Sequence, residues 1–264
     1  MKSRKNTYML RMIAAQRRAR LVDAVNRKGI VSVAELARLL STSLMTIRRD
    51  LAFLDAQGLL RRTHGGAVSL AAPRDVPFRR RERLELQAKA AIGRTAAALV
   101  KPGDTILLDA GTTLLAMAHS LRDLENLTVV TNSVQVLAEL WDRPGVRVVA
   151  LGGVARPTSG SLTGPLAEKA LEEIRVDRAF LGTTGISPHW EVSNSDLDLA
   201  TLQRKILSVA RESCLLADHT KFGRTGLAIV CPLRSFTTVI TDAHLPASIL
   251  SQLRKHSTEV LISR

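Results

Sequence analysis

The residues of this chain best suited to chemistry gather in short polar loops that follow apolar runs. Four of these loops are Asp109-Ala110-Gly111-Thr112-Thr113, Thr131-Asn132-Ser133, Leu151-Gly152-Gly153 and Leu181-Gly182-Thr183-Thr184-Gly185. Glycine lets a backbone approach an anion closely, and Ser and Thr hydroxyls with the amides of a helix N-terminus form an anion cradle. One such loop serves equally well as the small N-cap of any strand-to-helix turn. Four in succession argue for a shared site. A fifth loop, Asp218-His219-Thr220-Lys221, sets a carboxylate and an ammonium three residues apart. The lysine suits phosphate as a point charge and the carboxylate suits sugar hydroxyls, with a surface ion pair as the plain alternative. His219 has no second His or acidic cluster at ligand spacing, so a loop or packing role is expected and no metal site. Cys214 and Cys231 lie in apolar runs without ligand spacing and are read as buried small hydrophobes in a reducing compartment. No cofactor is expected.

Loops of this kind need strand ends beneath them. The runs TILLDAG, LTVVTNS, VRVVALGG, RAFLGTTGI, ESCLLADHT, LAIVCPL, TTVITDA and TEVLIS alternate with helical stretches. That alternation predicts a largely parallel sheet with helices on both faces. In open sheets of this class, ligands bind at the carboxyl ends of strands, near a topological switch point.

The first third of the chain has another character. Residues 1–83 carry 19 Lys and Arg against 6 Asp and Glu, nearly all of the net charge of +14. Aromatic residues make up only 3%, which disfavours base stacking on single strands and favours duplex DNA as the polyanion. Leu21, Val22 and Val25 at helical spacing precede the stop Lys28-Gly29, and Ser32-Val33-Ala34-Glu35 has the form of a capping box. A helix from Val33 to Leu40 is predicted, then a turn and N-cap at Ser41-Thr42-Ser43. The next predicted helix runs from Leu44 to Gln57, with Ile47, Leu51 and Leu54 on one face and Thr46, Arg48, Arg49 and Asp50 away from it. Leu59 to Val68 reads as a two-stranded wing whose Arg61, Arg62 and His64 face phosphates or the minor groove.

The segment TIRRDLAFLDAQGLLRRTHGGA, preceded by VSVAELARLLSTS, resembles the N-terminal domain of the DeoR family of bacterial repressors. LLDAGTT, LTVVTNS, ALGG, SGSLTGPLAE, AFLGTTGI and LLADHTKFG resemble the effector domain of the same family, so the resemblance spans about residues 13–243. It implies a winged helix-turn-helix followed by a Rossmann-like α/β domain similar to ribose-5-phosphate isomerase and glucosamine-6-phosphate deaminase. It puts Thr46, Arg48 and Arg49 on the recognition helix, with Thr42, Ser43 and Met45 at its start as further DNA-facing candidates. It also implies effector contacts from Asp109, Gly111, Thr112, Thr113, Asn132, Ser133, Gly152, Gly153, Gly182, Asp218 and Lys221. Two departures stand out. Leu44 replaces a commonly polar residue, and Leu199 and Gln203 stand where the family usually has an acid and, four positions on, a lysine. Arg204 and Lys205 lie about 100° and 200° further round the helix and do not substitute, so a changed or weakened effector response is expected.

The expected organisation is a basic arm (1–15), a DNA-binding domain (16–68), a linker with Pro73 and Pro77 (69–83) and an effector-binding and oligomerisation domain (84–264). The expected partners are double-stranded operator DNA, a phosphorylated sugar and further copies of the chain, as a dimer or tetramer. A cytoplasmic location without membrane contact is expected, because no run of about 18 uncharged apolar residues occurs and Arg11 breaks the run Tyr8 to Ala15. The alternative is an isomerase- or deaminase-like enzyme fused to a DNA-binding module, for which only Asp109, Asp218 and His219 offer titratable groups. A shared fold does not establish turnover, so a non-enzyme is expected. A nucleoid or RNA-binding protein would explain the basic segment but leaves the cradle loops without a purpose.

Overall fold

The computed structural model describes residues 14–28, 30–63, 65–68, 76–257 and 259–264. The chain divides into two compact units, Met1–Ala71 and Ala72–Arg264.

The first unit contains α1 (Ala14–Lys28), β1 (Ile30–Ser32), α2 (Val33–Leu39), α3 (Leu44–Ala56), β2 (Arg61–Arg62) and β3 (Gly66–Val68). Two serines start its inner helices as their spacing implies. Ser32 Oγ accepts the Glu35 amide at 3.2 Å and Ser43 Oγ accepts the Thr46 amide at 3.1 Å. Leu21, Val25, Leu36, Ile47, Leu51 and Leu60 are fully buried and join the three helices to the wing. The wing is a three-stranded sheet in the order β1-β3-β2. β1 had no separate signal in the sequence, because three residues beside a helix cap carry too little alternation to read.

Asp50 corrects the sequence reading. It was expected on the outward face of α3 but is buried, and its two carboxylate oxygens accept Arg17 Nε at 2.6 Å and Arg18 Nε at 2.8 Å. The reason is periodicity: position 50 lies three residues after Ile47 and one before Leu51, within the apolar stripe. Burial alone would raise the carboxyl pKa, but the two guanidinium groups hold it below its ordinary value. The pair of arginines thus ties α1 to α3.

The second unit begins with α4 (Phe78–Glu82), α5 (Leu86–Ala97), β4 (Thr105–Leu108), α6 (Thr112–His119), β5 (Leu127–Thr131), α7 (Val134–Leu140) and β6 (Val146–Ala150). Next come β7 (Val154–Arg156), β8 (Ser161–Thr163), α8 (Pro165–Glu172), β9 (Val176–Leu181), β10 (Gly185–Ile186), β11 (Glu191–Asn194) and α9 (Leu197–Val209). It closes with β12 (Ala210–Leu216), β13 (Ala228–Pro232), β14 (Thr238–Asp242), α10 (Ala247–His256) and β15 (Glu259–Ser263). Seven strands form one sheet in the order β15-β14-β12-β9-β4-β5-β6, and every neighbouring pair is parallel. Alternate residues of β4 enter different cores: Ile106 and Leu108 pack with Leu114 and Met117 of α6, while Leu107 packs with Leu171 of α8 and Ile206 of α9. Both faces are therefore covered, as a parallel sheet requires.

Three expectations change here. LAIVCPL, as β13, leaves the parallel sheet and pairs antiparallel with β11, next to β10. Residues 78–82 of the expected linker form α4, whose Phe78 is buried and donates its amide to the Thr158 carbonyl at 2.8 Å. An aromatic side chain with a site to fill holds that segment. Cys214 is buried as expected, but Cys231 is only partly covered.

Candidate functional site

From β4 the chain steps outward to β5 and β6, then crosses back to β9 and continues on the other side through β12, β14 and β15. The switch point lies between β4 and β9, where helices diverge and leave a crevice at the carboxyl ends. Because all seven strands are parallel, the loops after β14, β12, β9, β4, β5 and β6 lie on one edge in that order. These loops begin at Ala243, Ala217, Gly182, Asp109, Asn132 and Leu151.

Asp109, just after β4, is the centre of a buried network. Its Oδ1 accepts the Ala110 amide at 2.7 Å and Asn132 Nδ2 at 3.2 Å, and its Oδ2 accepts Gln203 Nε2 at 2.6 Å. Gln203 Nε2 also donates to the Gly182 carbonyl at 2.9 Å, and its Oε1 accepts Asn194 Nδ2 at 3.2 Å. Gln203, which departs from the family pattern, therefore bridges the two strands flanking the switch point, whereas Leu199, one turn before it, is a buried apolar side chain. Arg204 bonds the Ile229 carbonyl and Lys205 pairs with Glu172, both away from Asp109. Burial raises the Asp109 carboxyl pKa, only partly offset by these neutral donors. Gln203→Ala removes the side-chain donor to Asp109 and to the Gly182 carbonyl and leaves the Asn194 amide without its acceptor. We expect a loss of about 1–3 kcal/mol, read as a lower denaturation midpoint at constant m. An unchanged midpoint would show the bridge to be dispensable.

The other expected effector residues fall around this network in different ways. Ser133 caps α7 by accepting the Val136 amide at 3.3 Å. Thr112 and Thr113 are buried in the first turn of α6, whose N-cap is Gly111 and which has no side-chain cap. Gly152 has open space where a Cβ would stand, whereas Gly153 has φ 115° and a Cβ there would meet the Thr163 carbonyl at 2.5 Å. The fold alone accounts for Gly153. Among the buried polar atoms of the described residues without a hydrogen-bond partner are two of the expected effector residues, Asn132 Oδ1 and Asp218 Oδ2.

Asp218 is buried after β12, accepts the Thr220 amide and hydroxyl, and faces Lys221 Nζ at 4.0 Å. Burial alone would raise its carboxyl pKa, but Lys221, the Thr220 hydroxyl and Lys89 hold it below its ordinary value. Lys89 of α5 and Arg81 of α4 were not expected at the site. Lys89 is buried, donates to the Arg81 and Leu84 carbonyls, and has its pKa pushed down to about 8 by burial and by the charge of Lys221. Arg81 and Arg224 also bear on Lys221, whose pKa burial lowers. The sequence offered one signal for this group, the basic run Arg79-Arg80-Arg81, which was read as part of the linker. Lys89, Lys221, Arg81 and Arg224 outnumber the carboxylates of Asp218 and Glu85 and leave net positive charge, the arrangement an anionic ligand needs.

In the first unit, Met45, Arg48, Arg49 and Ala52 lie roughly 100–200° around α3 from the buried Ile47, and Met45, Arg48 and Arg49 are exposed. Leu44 is exposed beside them. Ser43 spends its hydroxyl on the helix cap and contacts Thr46 Oγ1 at 2.8 Å, and Thr42 donates its amide to the Ala37 carbonyl at 3.0 Å. Arg61 and Arg62 are exposed on β2, and His64 lies outside the described residues.

Comparison with known proteins divides the chain similarly. Residues 17–72 match the family described as the DeoR-like helix-turn-helix domain, and residues 84–243 match the DeoR C terminal sensor domain. The chain is 38% identical over 240 residues to the uncharacterized HTH-type transcriptional regulator YulB of Bacillus subtilis, covering 90% of this chain and 93% of that protein. It is 32% identical to the glycerol-3-phosphate regulon repressor of Escherichia coli, covering 94% and 99%. Among solved structures, ribose 5-phosphate isomerase A of Methanocaldococcus jannaschii matches with a TM-score of 0.38 and 18% identity, over 51% of this chain and 53% of that one. That likeness is too distant to bear on chemistry.

Proposed function

The chain belongs to the DeoR family of transcriptional regulators, and from that premise we propose that it represses a sugar catabolism operon and is released from operator DNA by a phosphorylated sugar. The observation that carries this reading is the cluster of buried polar and cationic side chains that the second unit gathers at the carboxyl ends of its parallel strands. There, Asn132 beside Asp109 keeps a buried Oδ1 without a hydrogen-bond partner, and Lys221 and Lys89 bear on the buried Asp218, in a chain whose first unit presents Arg48 and Arg49 outward on a helix. A relative named for the glycerol-3-phosphate regulon supports a phosphorylated ligand. Asp109, Asn132, Gly111, Thr112, Thr113, Gly152, Gly182, Asp218 and Lys221 contact it in this reading, with Lys89 and Arg81 adding positive charge. Binding without turnover is favoured: Asp109 is held by neutral donors on both oxygens, and His219 Nδ1 is bonded to Asp242 at 2.9 Å. The same reading makes the protein a dimer or tetramer that offers paired α3 helices to half-sites about one helical turn apart. It acts in the cytoplasm, and no described helix is long and apolar enough to cross a membrane.

The test is a titration of duplex DNA selected from a randomised pool against unselected duplex, at several salt concentrations. Log K should fall against log salt with a slope of about −0.9 per phosphate neutralised. Arg48→Ala or Arg49→Ala should cost about 1–3 kcal/mol on the selected duplex and relax sequence preference, whereas Arg61→Ala or Arg62→Ala should weaken all duplexes alike. A flat salt dependence, or an unchanged ratio of selected to unselected affinity in both helix variants, would count against the reading.

A further inference from the structure

Sequence spacing gave His219 no metal-ligating company, but the fold supplies it. His219 follows β12, and Asp242 and His244 stand at and just beyond the end of β14, the parallel neighbour of β12. His219 Nδ1 and His244 Nδ1 both lie 2.9 Å from the same oxygen, Asp242 Oδ2. One ligand atom from each of the three residues falls within 4.8 Å of the others.

The carboxylate is already held in place without the two rings. The His219 amide donates to Asp242 Oδ1 at 2.7 Å, the His244 amide donates to Oδ2 at 3.1 Å, and Asp242 is 2% exposed. Counting both imidazoles, Oδ2 faces three donors, more than its two lone pairs accommodate well. One cation shared by the two nitrogens and the oxygen satisfies all three groups at once. Ligand bonds of about 2.0–2.2 Å in tetrahedral geometry put ligand atoms about 3.4 Å apart. The two 2.9 Å edges reach that by opening several tenths of an ångström, and the third, within 4.8 Å, closes to it by rotation of His244, whose side chain is 74% exposed.

We propose that His219, Asp242 and His244 bind a zinc-like divalent transition-metal ion at the sheet edge, as three protein ligands with a fourth position open to water. Two imidazoles and one carboxylate form a borderline-soft donor set that suits zinc, cobalt or nickel, whereas magnesium and calcium take oxygen ligands. The ion sits in the turn that carries Asp218 and Lys221, since His219–Lys221 is a single 3-10 turn. Metal binding therefore fixes the backbone of that turn.

The test uses the full chain, tag-free, stripped with a chelator and dialysed. Cobalt(II) is titrated in and followed by visible absorption, and zinc(II) is then used to compete it off. The expected result is one saturating equivalent per chain with the intense bands of a tetrahedral ion. His244→Ala should weaken binding by at least about 10- to 100-fold, with far-UV circular dichroism unchanged because the side chain is exposed. Asp242→Asn, which keeps the shape of the side chain, should lose the tetrahedral spectrum. Absence of a saturable equivalent in the wild type, or equal titrations of wild type and His244→Ala, would overturn the site. Neither DNA nor sugar enters the assay, so its outcome is independent of the repressor reading.

Discussion

Gly66→Ala is expected to abolish duplex binding, while the neighbouring Gly65→Ala leaves it intact. Gly65 lies in the wing turn and Gly66 opens β3, and their surroundings separate them. A Cβ at Gly66 would stand 2.1 Å from the Val31 carbonyl oxygen and 2.9 Å from the Ser32 Cα, whereas a Cβ at Gly65 meets nothing within 4 Å. The obstructing atoms are backbone, so no side chain can turn aside. To admit a methyl group, β3 must leave β1, and the pairings Ile30↔Val68, Val31↔Ala67 and Ser32↔Gly66 go with it. Overpacking typically costs about 1–3 kcal/mol and more when backbone must move. A unit this small holds few kcal/mol in reserve. Amide hydrogen exchange provides the check: Gly66→Ala should lose protection in β1 and β3 and keep it in the seven-stranded sheet, with duplex binding lost in parallel. Wild-type binding by Gly66→Ala would show that the wing has no part in holding DNA.

Lys221→Ala should make the protein deaf to its effector while its affinity for DNA without ligand stays the same. The lysine lies in the second unit, outside the basic segment, and Lys89 remains to offset the buried Asp218 charge. In the wild type, a sugar phosphate that binds should lower duplex affinity by about 5- to 150-fold, and duplex should lower sugar-phosphate affinity by the same factor. Titrating sugar phosphates into preformed complexes of both proteins measures this. Equal release from both would remove Lys221 from the site, and no release by a sugar phosphate that demonstrably binds would end the coupling hypothesis. Effector affinity should also fall as pH rises through about 8, where Lys89 gives up its proton and one positive charge beside the anion disappears.

The parts of this molecule that could be read from the sequence are those fixed by near neighbours along the chain. Ser32 and Ser43 cap the helices that follow them, and the loops at Asp109, Asn132 and Gly182 sit where an apolar run meets small polar residues. What escaped was set by distant contacts. Asp50 reads as an exposed acid until α1 brings two arginines onto it. Gln203 reads as a loss relative to the family pattern, yet it bonds Asp109, 94 residues before it, and the Gly182 carbonyl, 21 residues before it. Lys89 belongs to the site only because α5 packs back against the strand ends, and His219 gains its partners only because β12 and β14 are neighbours.

The strand order also has a consequence for how the protein is made. The contacts of the first unit close over short stretches, such as the 33 residues from Arg17 to Asp50, whereas the Thr105 amide of β4 finds Asp177 only 72 residues on. Non-local parallel pairing is slow, and translation adds about 5–20 residues per second. The basic fold is therefore complete on the ribosome roughly 10–40 s before the last strand of the sheet emerges. During that interval the chain has neither a sensor nor, in the proposed reading, the oligomerising unit that pairs two α3 helices. A substitution that only delays closure of the sheet lengthens the interval and leaves the finished protein's affinities unchanged.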